Sequence, residues 1–175
     1  MGLQYRAAAL AGIVTQFAWG FLEILVFWAF YRAEPEAFPM SMSATASYVW
    51  MQQAFLALFA TWMIDNDIFD TIVSGNIAYS LFIPIRIYNM WFSKSTATRV
   101  SRAALRCFPI LIIAAFLPES YRMAKPASAW HFGLFLVTLI FGLLVTVAFS
   151  MFVYVFTFFT VSPQGVRIVF TSMVE

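Results

Sequence analysis

The chain has 175 residues, of which 63% are apolar and only 10% charged, with a formal net charge of +2. A charged fraction near 25% is usual for soluble domains, so this composition excludes an ordinary soluble enzyme and points to a protein built largely of bilayer spans. The length has room for four to six spans with short connections and none for an additional soluble catalytic domain, and the single cysteine, Cys107, excludes an intrachain disulfide or a cysteine-based metal cluster.

The first predicted element is a span over about residues 7–31, interrupted only by Glu23. It is too long for a secretory h-region and no small-residue cleavage site follows it, so it is expected to remain in the mature protein. Met1-Gly2 does not make a myristoylation site, because Arg6 stands where Ser or Thr is needed. The turn-prone RAEPEAFP follows, and then a second span over 43–64 that ends at the acids Asp65, Asp67 and Asp70.

The segment 65–102 is predicted to be a structured loop. Asp65, Asn66 or Asp67 can cap a helix N-terminus, where a carboxylate accepts backbone N–H bonds and favours the dipole. Ile68, Ile72 and Tyr79 then fall near one helical face, which suits a short amphipathic helix resting on the bilayer or docking into a partner's groove. Gly75 weakens that helix and Pro84 ends it. A third span is predicted over about 103–121; its fully apolar part, 107–117, is too short to cross alone and borrows charged residues that snorkel. The fourth runs over 130–161, about 48 Å if helical, so it must tilt, break or project from a hydrocarbon core of roughly 30 Å. A new apolar stretch, 165–175, reads as the start of a fifth span.

Long apolar runs without strand alternation make these spans helices. Orientation follows from the basic residues. With the N-terminus inside, the cytoplasmic side receives Arg6, Arg86, Lys94, Arg99, Arg102, Arg106 and Arg167, and the outside only Arg32, Arg122 and Lys125, which favours a cytoplasmic N-terminus and a cytoplasmic 65–102 loop. Trp50, Trp62, Trp91 and Trp130 lie near span ends, as interfacial aromatics do.

No GxxxxGK[ST], GxGxxG or HExxH occurs, so no nucleotide, cofactor or metal site is expected in this chain. Glu23 is the one carboxylate well inside a predicted span; with Thr15, Gln16 and Gln53 it can line a polar path or act as interhelical glue. His131, beside Trp130, is expected to be a solvated or capping histidine.

The order of strings along the chain carries a family resemblance. Tyr5 and Arg6 precede the first span, YVWMQQ (48–53) opens the second, the acidic turn at Asp65 follows it, and IVSGNIAYSL (72–81) with Pro84 leads to a basic approach to the third. Together with the region of Gly165, these resemble a permease subunit of a type-2 ABC exporter, the six-span proteins related to daunorubicin and other drug-export permeases. The chain departs from that pattern at Ile83, where the family has a basic residue and the nearest here is Arg86, and it lacks the last two spans.

The resemblance implies an all-α polytopic permease cut short after four membrane helices, with a coupling helix that sits on a separate ATP-binding cassette subunit through Asp65, Asp67, Ile68, Asp70, Ile72 and Tyr79. It further implies a second permease subunit, identical or related, ATP hydrolysis outside this chain, and a multi-pass place in the plasma membrane among lipids, with no nucleic-acid partner. Two rival readings remain open at this level: a proton-coupled secondary transporter, which would want a relay of ionisable groups where only Glu23 is found, and a non-transporting membrane scaffold.

Overall fold

A computed structural model describes residues 6–37, 39–80, 82–126 and 128–160, together with 165, 168 and 172. Within them the chain is all-helical: α1 (Arg6–Ala33), a 3-10 turn (Pro35–Ala37), α2 (Met42–Phe59), α3 (Asn66–Val73), α4 (Ile77–Ser80), α5 (Ile87–Phe116) and α6 (Ala129–Thr157). Most of the expected fifth-span start, 165–175, lies outside the described residues.

The helix ends follow local chemistry. α1 stops just before Pro35, whose ring disfavours a helical residue ahead of it. Ser41 begins α2, its hydroxyl accepting the Ala44 N–H at 3.3 Å. Asp65 is the N-cap of α3, accepting the Asp67 N–H at 3.0 Å, so of the three candidate caps the first is used. Gly75, at φ 72°, ends α3 in the left-handed conformation that side chains resist. Ser128 caps α6, accepting the His131 N–H at 3.4 Å and pairing with His131 Nδ1 at 2.7 Å.

Two of these helices are long and apolar enough to cross a membrane: α1, over Leu10–Ala33, and α6. Only 11% of the most apolar window of α6 is buried inside the protein, so most of the apolar surface of that window is left outside the core. The other two expected spans fall short for identifiable reasons. α2 has 18 residues, about 27 Å, and Ser43, Thr45, Ser47, Gln52 and Gln53 dilute its apolar character. α5 is long, but it begins at Ile87 rather than 103, and its first two-thirds carry Lys94, Arg99, Arg102 and Arg106.

The fold divides into two compact units. The first comprises residues 1–57 and 101–132, the second 58–100 and 133–175. In the first, Trp50 is fully buried among Ile24, Val49, Ala54, Ile110 and Ala114. Phe17 stacks on its ring at 5.0 Å, and its indole N–H donates to the Tyr121 carbonyl at 2.8 Å. The 117–128 segment is tied down by the same means, the Ala124 N–H donating to Ser47 Oγ at 2.7 Å. Gly20 permits this packing: a Cβ there would stand 3.0 Å from Gln53 Cγ and 3.1 Å from Trp50.

In the second unit, Ile68 and Phe69 of α3 meet Trp91 of α5 and Val147, Met151, Val153 and Tyr154 of α6. Tyr154 organises this core. Its ring meets Phe69 and Trp91 edge-on at 5.4 and 6.1 Å, and its hydroxyl accepts the Asp65 N–H at 2.9 Å.

Candidate functional site

Two places gather the residues singled out by sequence. The first is the α3–α4 segment of the second unit. Directly after α2 the chain turns at Asp65 and forms α3, whose inner face is consumed by the unit's own packing: Ile68 is 2% exposed and Ile72 packs against the same core. These two isoleucines therefore hold the segment in place and leave the polar face outward. The expected single face of Ile68, Ile72 and Tyr79 is broken at Gly75. Tyr79 lies on the separate turn α4, where it is 74% exposed.

The acids divide into two roles. Asp65 and Asp67 both pair with Lys94 of α5, at 2.9 and 3.2 Å, which clamps the start of α3 to that helix. Partial burial tends to lower the Lys94 pKa, but the hydrogen bonds and charges of the two aspartates outweigh it, and the net displacement is upward. Asp70 is exposed and makes no ion pair among the described residues. The outward surface thus includes Asp67, Asp70, Val73 and Tyr79.

The second place is a cleft of about 420 Å³ in the first unit, where α1 and α2 pack together. It brings together Gln16, Glu23 and Gln53, while Trp19, Leu22, Val26 and Leu56 supply its apolar wall. Gln16 and Glu23 are seven residues apart and so share a face of α1. Gln53 of α2 ties to both: Gln16 Nε2 donates to the Gln53 carbonyl at 3.1 Å, and Gln53 Nε2 donates to Glu23 Oε2 at 3.4 Å. Gln16 is 7% exposed, and its Oε1 is buried with no hydrogen-bond partner. Thr15 does not join them; its hydroxyl bonds back to the Ala11 carbonyl at 2.8 Å and does not line the cleft.

Sequence reasoning missed Arg99. Hydropathy makes it one more basic residue of a cytoplasmic loop, yet it is 3% exposed. Its guanidinium Nη1 donates to the carbonyls of Leu58 (3.4 Å) and Ala60 (2.7 Å), and Nη2 donates to the Met63 carbonyl (3.2 Å) and Ser150 Oγ (2.9 Å). The last turn of α2 leaves carbonyls without intrahelical partners, and a fixed cation there satisfies them and favours the dipole. The signal was present in the sequence. Trp91, Ser95, Arg99, Ala103, Cys107, Ile110 and Ala114 recur at spacings of three and four and form the buried stripe of α5.

No protein-family model, curated protein or solved structure matches the chain.

Proposed function

We propose that this chain is the membrane-spanning subunit of an ATP-driven exporter of the type-2 ABC class, with the α3–α4 segment as the element that receives the push of a separate ATP-binding subunit. One observation carries the reading: a short helix directly after α2 is capped by Asp65, locked inward through Ile68, Phe69 and Tyr154, and left with Asp67, Asp70 and Tyr79 facing outward. A transmission element needs that combination of a rigid inner attachment and a polar outer face. A helix merely resting on lipid would turn its isoleucines to the bilayer instead.

In this reading α1, α2, the C-terminal half of α5 and α6 all cross the plasma membrane, with the N-terminus and the α3–α4 segment cytoplasmic, as the seven-to-three distribution of basic residues favours. Motion of α3 passes to α5 through the Lys94 pairs and Trp91, and to α6 through Tyr154. A second permease subunit and two ATPase subunits complete the transporter, and the Gln16–Glu23–Gln53 cleft belongs to the substrate path.

The test is affinity capture of the intact protein from its native membrane, followed by identification of bound proteins. An ABC ATPase is expected in the wild-type eluate and is expected to be lost with Asp70→Lys, since Asp70 is exposed and makes no ion pair among the described residues. Capture without any ATPase, or with the same amount after Asp70→Lys, would contradict the reading.

A further inference from the structure

The cleft on α1 has a composition that selects a ligand by charge. Its walls are Trp19, Leu22, Val26 and Leu56, none of its lining residues is basic, and Glu23 makes no ion pair among the described residues. The one hydrogen bond on that carboxylate among the described residues, from Gln53, is long at 3.4 Å. Gln16 also belongs to the lining, but its Oε1 is covered by protein and does not open onto the cleft, so Glu23 is the acceptor presented there. An intramembrane carboxylate normally faces a cavity or a counter-charge.

We propose that this cleft binds an apolar organic cation: a positively charged group against Glu23 and an aromatic or aliphatic body on the apolar wall. The volume is that of a small-molecule site. Trp19, whose ring is largely exposed, adds a π face that attracts a cation. A lipid headgroup is the wrong source of the charge: Glu23 is about 5 Å along the axis from the midpoint of α1, whereas headgroups lie roughly 15 Å from the bilayer centre. That such a ligand is cargo rests on the permease reading; that it binds does not.

Tetraphenylphosphonium and tetraphenylborate, matched in shape and opposite in charge, provide the probes. Each is titrated by equilibrium dialysis against the purified intact protein in zwitterionic phosphatidylcholine nanodiscs, with empty nanodiscs subtracted. Saturable binding of the cation and not of the anion is expected, weakened about tenfold or more by the near-isosteric Glu23→Gln and less by Trp19→Ala. Thermal melting and size-exclusion profiles establish that each variant is folded, and Val14→Ala, an exposed position outside the cleft, controls for lipid-facing change. Equal binding of the two probes, or cation binding unchanged by Glu23→Gln in folded protein, would overturn the proposal. Glu23-dependent cation binding by a protein that captures no ATPase would sustain the site and reject the permease reading; ATPase capture without cation binding would do the reverse.

Discussion

Arg99 and Glu23 are both charged residues set in long helices, and the fold treats them in opposite ways. The Arg99 guanidinium is surrounded by acceptors from Leu58, Ala60, Met63 and Ser150. Glu23 holds one long bond from Gln53 and borders a cleft with no basic residue in its lining. A buried charge gripped by several acceptors is part of the framework, since its removal strands the groups that face it. A charge left with spare capacity beside a cavity is available for something that comes and goes. The same contrast distinguishes the acids of α3: Asp65 is committed to capping and to Lys94, while Asp70 has no such duty.

The largest expected effect comes from Arg99→Ala, which leaves the α2 carbonyls and Ser150 buried without their donor. A loss of about 3–5 kcal/mol is expected, read as a large fall in melting temperature and in the yield of monodisperse protein. Arg99→Lys should recover only part of it, because a single ammonium cannot reproduce the planar fork that spans these acceptors. Stability unchanged by either substitution would break the contrast from the framework side.

Next is Tyr154→Phe, which keeps the ring contacts with Phe69 and Trp91 but removes the acceptor for the Asp65 N–H. About 1 kcal/mol is expected, accompanied by faster amide exchange at the start of α3. Asp65→Ala should cost a similar amount, about 1 kcal/mol, through the lost N-cap, with exchange again concentrated in α3 rather than in α1 or α2.

The Lys94 pairs should matter least, under about 1 kcal/mol by Lys94→Ala, because they are partly exposed. Their pH dependence has a definite sign. A lysine whose folded pKa is raised stabilises the fold fully below the ordinary lysine value and loses that contribution as pH rises through the raised one. Melting temperatures from neutral pH to the lysine range should therefore show no Lys94-dependent change, and a wild-type-specific decline should appear only above it. Glu23→Gln, by contrast, is expected to shift stability by no more than about 0.5 kcal/mol while altering ligand binding.

Much of the framework was legible in the sequence. Continuous apolar runs fixed α1 and α6, and the acids at 65–67 announced the start of α3. The α5 boundary was not legible from hydropathy, because Lys94, Arg99 and Arg102 make the first half of that helix look like a polar connection. Only the three-and-four spacing of Trp91, Ser95, Arg99 and Ala103 marks it as helix with a buried side. Ile68 and Ile72 were placed on the right face of α3, but whether that face meets a partner or the chain's own core depends on Trp91 and Tyr154, which local periodicity does not bring near. Gln16, Glu23 and Gln53 were grouped for their polarity alone; their meeting in one cleft depends on how α1 packs on α2, which Gly20 makes close.

The central claim, that the outward face of α3 is presented to the cytoplasm, is open to one direct measurement. A single reactive thiol is introduced by Asp70→Cys, with the buried native cysteine removed by Cys107→Ala, and the protein is treated with a membrane-impermeant maleimide in sealed right-side-out and inside-out vesicles. Labelling of inside-out vesicles alone is the expected result. Labelling of right-side-out vesicles would place α3 on the outer face and contradict the account.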